Sequence, residues 1–320
     1  MKKLLVAPLF LLLTAFSFGA SSQKEIAQAL KQSGVKGGFA VHLGATDGSV
    51  TTALRPSENY QVQALVTDAS KLDDVRKQIR EGAGTYGPIA ADSWKGGQLP
   101  YVDNMVNLLL IEEGTEVSQK EIHRVLTPLG KAYQKKDGKW KVIDKQWPKE
   151  IDEWTHYLHG ADGNAVAKDT RVGPPRRLQW VGSPRWSRHH DRMASMSALT
   201  STGGRLFYVM DEGSRVSIQL PPDWKLIARD AFNGVVLWKR SIPKWHHHLW
   251  PLKSGPTQLA RRLVSKGDRV YFTMGITAAV SALDATSGKT LVTFKESEGA
   301  EEILVANGSL IALVNKGASN

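Results

Sequence analysis

The sequence predicts a doubly wound α/β domain on the N-terminal side, followed by an all-β domain built from repeated small sheets. Three observations predict it. Strand-like apolar runs alternate with helical patterns between Lys24 and about Lys149, the pattern of parallel strands joined by crossover helices. From Gly203 onward the texture changes to short β-type runs with glycine turns, and one pattern of these recurs, as in repeated antiparallel sheets. The 320 residues contain no cysteine. Stability must therefore come from packing, and thiolate metal sites, covalently attached haem and cysteine nucleophiles are excluded.

The length suits two domains, each able to bury its own core. The first residues read as a segment outside the fold. Lys2 and Lys3 precede an apolar run from Leu4 to Phe18, and Gly19, Ala20, Ser21 and Ser22 follow. A charged start, an apolar centre and a small-residue exit make residues 1–21 a signal peptide, so the expected location is periplasmic or secreted. The alternative is an uncleaved anchor, but the run is shorter than the ~20 residues of a membrane span. The cut falls after Gly19, Ala20 or Ser21; Phe18 sits badly three residues before a cut after Ala20. With Lys2 and Lys3 removed, 40 basic residues stand against 31 acidic, a balance of +9. Such a charge favours encounter with an anionic ligand or glycan.

The elements of the first domain follow in order. Lys24–Gln32 is a short amphipathic helix, broken by Gly34, Gly37 and Gly38. Phe39–Leu43 is a strand that empties into Gly44-Ala-Thr-Asp-Gly48. A glycine turn between strand and helix lets backbone approach a ligand and points amides at it, which makes Gly44, Ala45, Asp47 and Gly48 candidate binding residues. Tyr60–Thr67 is a second strand, Leu72–Arg80 a helix, Tyr86–Ala91 a third strand ending at Asp92, and Met105–Ile111 a fourth. Val117–Leu126 is a helix with a capping box of Ser118 and Glu121, and Lys139–Ile143 is a last strand-like piece.

Three segments carry a resemblance. Val41-His-Leu-Gly-Ala-Thr-Asp-Gly48, Leu99-Pro-Tyr-Val-Asp-Asn104 and Glu121-Ile-His-Arg-Val-Leu-Thr-Pro128 are similar to the motifs of class I S-adenosylmethionine-dependent methyltransferases. The resemblance implies a Rossmann-like fold, a cofactor turn at Gly44–Gly48, Asp68 near the cofactor ribose and Asp92 on its adenine side. Departures accompany it. His42 stands where the family has an acid, Thr46 where it has glycine, and Val66 where it has the carboxylate that grips the ribose hydroxyls. A ribose held without that carboxylate loses about 1.5–3 kcal/mol of charged hydrogen bonding.

In the second domain, from about Glu150, Gly204–Asp211 reads as a strand and Trp224–Lys239 as a hairpin around Asn233-Gly234, a strong turn signal. Gly267–Thr273 and Val280–Phe294 repeat the pattern, with Asp284 and Gly288 matching Asp230 and Gly234, and a third copy begins at Asn307. Ala282-Leu-Asp-Ala-Thr-Ser-Gly288 and Ala228-Arg-Asp-Ala-Phe-Asn-Gly234 resemble the pyrroloquinoline-quinone (PQQ) repeat of quinoprotein-type β-propellers. The resemblance implies a partial propeller of two blades and part of a third, in a fragment of a longer protein. Arg177-Leu-Gln-Trp180 reads as an isolated strand from another blade.

Trp245-His-His-His-Leu-Trp250 offers His246 and His248 as weak metal candidates, but three consecutive histidines cannot face one point and no acid lies nearby. His156, His159 and Asp162, and His189-His-Asp191, are weaker still. The arginine-rich stretch from Arg171 to Arg192, which includes Arg176, Arg177, Arg185 and Arg188 between Trp180 and Trp186, is a candidate anion site. No segment aligns with the catalytic aspartate and calcium ligands that a quinoprotein dehydrogenase requires, so the repeat speaks for shape rather than redox chemistry. The expected function is an exported binding or scaffold module whose propeller presents a surface to an anionic ligand or glycan, or to another protein. The alternatives are an S-adenosylmethionine-dependent methyltransferase and a PQQ-dependent oxidoreductase whose site lies in missing blades.

Overall fold

The computed structural model describes residues 21–174, 178–184, 188, 195–217, 219–246 and 257–317. The first domain is one six-stranded sheet. Its strands are β1 (Gly38–Leu43), β2 (Tyr60–Val66), β3 (Ile89–Ser93), β4 (Val106–Ile111), β5 (Leu126–Lys136) and β6 (Lys139–Asp144), in the order β3-β2-β1-β4-β5-β6. Every pairing is parallel except the last, a β5–β6 hairpin. The order reverses between β1 and β4, as in Rossmann-like folds.

Helices α1 (Gln23–Ser33), α2 (Gly48–Thr51) and α3 (Leu72–Ala83) pack through Ile26, Leu30, Val50, Val75 and Ile79 on one face of the sheet. Helix α4 (Gln119–Val125) and the 94–105 loop cover the other face through Ile122, Val125, Trp94, Leu99 and Tyr101. Both faces are buried, so the strands are near-continuous apolar runs. No helix among the described residues is long and apolar enough to cross a membrane.

Several boundaries differ from the sequence expectation. The third strand begins at Ile89 rather than Tyr86, and the strand β5, which holds Pro128, was not foreseen. A proline in an apparent helix end disguised the strand. The capping box also moves. Ser118 does accept from Glu121 N–H, but the Glu121 carboxylate turns to Leu99 and Arg124 instead of closing the box. Ser22 and Glu25 close a complete box at α1.

The second domain is antiparallel throughout. Strands β7 (Met196–Thr202), β8 (Arg205–Asp211), β9 (Trp224–Asp230) and β10 (Val236–Ser241) form one four-stranded sheet. Strands β11 (Leu263–Lys266), β12 (Arg269–Thr273), β13 (Val280–Asp284) and β14 (Thr290–Phe294) form the next, and β15 (Ala300–Ala306) pairs with β16 (Ser309–Val314). The sheets stack. Phe207, Leu226 and Trp238 of the first share a core with Val270, Phe272 and Leu283 of the second; Val264 and Val280 of the second meet Ala300, Ile303 and Val305 of the third.

The two aligned corners are built alike. Asp230 Oδ1 accepts from the Phe232 and Asn233 amides, and Asp284 Oδ1 from those of Thr286 and Ser287. Gly234 and Gly288 N–H then donate to the Asp230 and Asp284 carbonyls. Asn233-Gly234 is therefore not a two-residue hairpin: the loop spans 231–235, and only Gly234 takes positive φ. Each glycine lies beneath an indole ring. Trp180 covers Gly234 and donates to the Ala231 carbonyl at 3.0 Å; Trp238 covers Gly288 and donates to the Ala285 carbonyl at 3.0 Å. Trp180, foreseen as part of a strand, lies outside the strands but makes the same contact as Trp238.

A Cβ on Gly288, where φ is +69°, would come within 2.6 Å of the Trp238 ring. Gly288→Ala should therefore cost about 2–4 kcal/mol from overpacking and left-handed strain, read as a lower urea midpoint.

The strands β7, β11 and β15 each leave one edge unpaired within their sheets. A single extended segment crosses all three. Ser201 N–H donates to the Trp154 carbonyl at 2.7 Å and Ser265 N–H to the Thr155 carbonyl at 3.0 Å, while Val305 N–H donates to His156 Nε2 at 3.0 Å. Three successive residues thus tie three successive sheets.

The two domains are also tied. Asn107 Oδ1 accepts from Phe39 N–H and Asn233 Nδ2, both at 2.7 Å, while its Nδ2 donates to Asp230 at 2.7 Å. A Cβ on Gly38 (φ +105°) would lie 2.1 Å from Asn107 Oδ1, so the glycine that ends the α1 loop is required by this junction. Burial pushes the Asp230 carboxyl upward, against the hydrogen bonds it receives.

Candidate functional site

In a doubly wound sheet, ligands bind beyond the carboxyl ends of the strands at the order reversal, here above β1 and β4. The Gly44–Gly48 turn lies there, and Asp68 and Asp92 follow from β2 and β3, so the fold brings all six candidate residues to one edge. The Gly44, Ala45 and Gly48 amides and one oxygen of each carboxylate are engaged within the chain. Gly44 and Ala45 N–H both donate to the Leu65 carbonyl, at 2.8 and 3.2 Å. Gly48 N–H donates to Gln78 Oε1 and Ser49 N–H to Asp47 Oδ1, each at 2.8 Å. Asp47 is thus the cap of α2.

Asp68 caps the following turn by accepting from the Ser70 hydroxyl and amide, contacts that lower its carboxyl. Asp92 is exposed and accepts from Ser93 N–H at 2.8 Å. The family's ribose position is Val66, 1% exposed.

The floor of the turn is filled from within. The Thr115 hydroxyl lies against Gly44, 2.2 Å from where a Cβ would stand, so the close approach that this glycine permits is taken by Thr115. His42, 2% exposed, is held between Thr51 Oγ1 at 2.8 Å and Glu112 Oε1 at 2.9 Å. Because Nε2 faces a carboxylate oxygen, it carries a proton. The other Glu112 oxygen accepts from the Ser21 hydroxyl at 2.8 Å, and that hydroxyl accepts from Lys135 Nζ at 3.0 Å. Lys135 reaches on to Glu25 at 3.3 Å. Burial works to raise the Glu112 carboxyl; the hydrogen bonds from His42 and Ser21 and the charges of His42 and Lys135 outweigh it and hold the group below the usual range. His42 sits at the position of the family's acid, and Glu112 answers it from the end of β4.

The motifs that carry the resemblance most specifically form a clamp. Arg124 donates from Nε and Nη2 to the Glu121 carboxylate at 2.8 and 2.6 Å, and from Nη1 to Asp103 and the Tyr101 carbonyl at 2.9 and 2.8 Å. Glu121 also accepts from Leu99 N–H at 2.6 Å. The Arg124 hydrogen bonds pull the Glu121 carboxyl down. These residues hold the 99–104 loop on α4, a structural task. Beside the clamp a cleft of about 1300 Å³ opens between the 113–118 segment, α4 and the end of β5, with Glu116, Lys120, Arg124 and Lys136 on its walls. None of the six candidate residues lines it.

The other constellations separate. His156 Nε2 accepts from Val305, and His159 Nε2 bonds to Asp152 at 2.7 Å, so those two histidines and Asp162 do not converge. Trp245 is buried on Phe272 and donates to Ser197 Oγ at 3.0 Å, and His246 packs on the Trp224 ring. His248, the 189–191 cluster, Arg176, Arg177, Arg185 and Trp186 lie outside the described residues. Among the described residues no three metal-ligating side chains converge. In the arginine-rich stretch, Arg188 is buried in an ion pair with Asp211 at 2.9 Å, both side chains 1% exposed, and is not available to an anion.

No protein-family model matches the chain, and no curated protein does. Its N-terminal part is similar to solved methyltransferase structures. The geranyl diphosphate C-methyltransferase of Streptomyces coelicolor is 15% identical, with 35% of this chain and 45% of that one covered at a TM-score of 0.30. A SAM-dependent methyltransferase of Aquifex aeolicus is 16% identical, with 34% and 65% covered at 0.29. The YcgJ protein of Bacillus subtilis is 15% identical, with 35% and 49% covered at 0.30. The chain spans about half the length of the first of the solved structures it matches. The Rossmann-like assignment rests on the strand order and crossovers described above.

The turn departs from the one that the motif resemblance implies. The turn amides at Gly44, Ala45 and Gly48 are bonded internally, Thr115 occupies the glycine floor, and valine replaces the ribose acid.

Proposed function

We propose that this chain is an exported scaffold or binding protein in which a methyltransferase-like domain serves as a rigid brace for a quinoprotein-type propeller. The observation that carries the reading is the internally satisfied turn, with Thr115 packed on Gly44. The junction through Asn107, Asp230 and Asn233 supports a bracing role, because it spends buried polar groups on fixing one domain to the other. The stacked sheets, their repeated tryptophan-on-glycine contacts and the crossing segment at 154–156 support a radial arrangement of blades around an axis. That segment takes the edge amides of Ser201, Ser265 and Val305 for the chain itself, and nothing in the described residues favours a quinone there. The formal balance of +9 that remains without Lys2 and Lys3 supports an anionic ligand or glycan as the partner.

The second reading, S-adenosylmethionine-dependent methyl transfer, draws on the motif resemblance and on Asp92, exposed at the end of β3. Calorimetric titration of the full chain with S-adenosylmethionine separates the two. No heat is expected at millimolar cofactor. Saturable binding in the micromolar range would overturn the scaffold reading in favour of the enzyme.

A further inference from the structure

The sheet of the first domain has a second edge, opposite the Gly44–Gly48 turn, where β1, β4 and β5 begin. A cavity of about 320 Å³ lies between that edge and the second domain, with the bonded pair Asn107 and Asp230 on its wall. Lys36, Leu129 and Lys131 line it from the first domain, and Arg205, Phe232 and Thr286 from the second. A neighbouring hollow of about 350 Å³ shares Lys36, Leu237 and Thr286 with it. Domain interfaces are favoured places for small-molecule sites, and these sizes stand at the lower end of such sites.

Leu129 is unusual here. Its φ is +65°, a conformation that strains a bulky side chain and persists only where the surroundings impose it. The Leu129 N–H donates to the Lys145 carbonyl at 2.9 Å, which fixes the backbone, yet the residue stays 53% exposed. Core packing therefore does not account for a leucine at this position.

The polar groups left over on the walls are donors. Asp268 is taken by Arg205 at 3.0 Å, and Asp230 accepts from Asn107, Phe232 and Asn233. Thr286 Oγ1 accepts from Arg205 at 3.1 Å and Thr127 Oγ1 from Asn107 at 3.4 Å, so each hydroxyl keeps a proton to give. Lys131 pairs with Asp144 at 3.1 Å. Lys36 is exposed and pairs with no carboxylate among the described residues. A ligand here meets an ammonium group and hydroxyl donors beside apolar side chains, and no carboxylate that lacks a partner.

We propose that this interdomain crevice binds a small organic anion, with its acidic group at Lys36 and Thr286, which border both hollows, and its apolar part on Leu129 and Phe232. The site rests on the anionic-ligand part of the reading above and uses none of the Gly44–Gly48 turn.

The test is equilibrium dialysis of the full chain against benzoate and phenyl phosphate, with benzylamine as a cation of similar size. Saturable binding of at least one anion at millimolar concentration is expected, and none of benzylamine. Lys36→Glu should weaken the anion about tenfold, the worth of one charged hydrogen bond. Lys71→Glu, at an exposed lysine outside the crevice, should leave it unchanged. Glycine takes the backbone angle of Leu129 without strain, so Leu129→Gly should keep or raise the urea midpoint and still weaken the anion. Anion binding that survives both Lys36→Glu and Leu129→Gly overturns the site but leaves the anionic-ligand reading standing. Equal binding of benzylamine overturns the class of ligand, and no saturable binding of either anion overturns the site and the anionic-ligand reading together.

Discussion

Glu112→Ala should destabilise the first domain by about 3–5 kcal/mol, the usual cost of stripping one partner from a buried charged cluster. His42 and Lys135 have side chains 2% and 7% exposed. Without the carboxylate, the His42 Nε2 proton points at a cavity, and the Ser21 hydroxyl loses its acceptor while it still receives Lys135. Glu112→Gln keeps the shape and one acceptor oxygen, so it should lose less, and the difference between the two variants isolates the charge. Acid should act like the alanine variant. The folded Glu112 carboxyl sits lower than its unfolded counterpart, so its contribution is complete above the ordinary glutamate value of about 4.3 and fades as pH falls through the folded value. Urea midpoints for the three proteins at pH 7 would decide. A loss below 1 kcal/mol for Glu112→Ala would mean that water replaces the carboxylate and the cluster carries little stability.

The same cluster shows what a sequence can and cannot disclose. The glycine turn at 44–48, the strands β1, β2 and β4 and the paired Asp–Gly corners are local patterns, and each was legible from periodicity and turn chemistry. The residues that decide the site were not. His42 stood out as a departure from a motif, but its partner Glu112 lies 70 residues away, and Ser21 stands 91 residues from Glu112. Thr115 carries no signal of its own; only the fold lays it on Gly44. The edge strands β7, β11 and β15 escaped notice for a related reason. Leu263–Lys266 is too short for a pattern and Met196–Thr202 is half serine and threonine, and both are strands because neighbouring sheets cover them. The motif match at Glu121 and Arg124 was the most specific feature in the first domain, and it encodes loop geometry rather than ligand chemistry.

Between pH 6.5 and 4 the second domain should lose stability in a step that Glu112 does not supply. His156 is 3% exposed, and its Nε2 accepts from Val305 N–H, so the ring must stay neutral at that nitrogen. The Thr155 hydroxyl donates to the His159 carbonyl, which leaves its oxygen to accept the proton on His156 Nδ1 at 2.7 Å. Burial lowers the ring to about 4; Lys266 and His159 push the same way, and Asp162 opposes them. The unfolded ring titrates near 6.5. Below that value the unfolded chain takes up a proton that the folded chain refuses, so stability is complete above pH 6.5, falls as pH drops and levels off near 4. The span bounds the loss at about 3 kcal/mol. His156→Gln replaces the ring with a side chain that does not titrate and still offers an acceptor oxygen to Val305. Its urea midpoint should be lower than that of the parent at pH 7 yet nearly flat down to pH 4.5. A variant that still falls as steeply as the parent would place the acid-sensitive group elsewhere and leave the third sheet held by its apolar contacts, Ile303 and Val305 against Val264 and Val280.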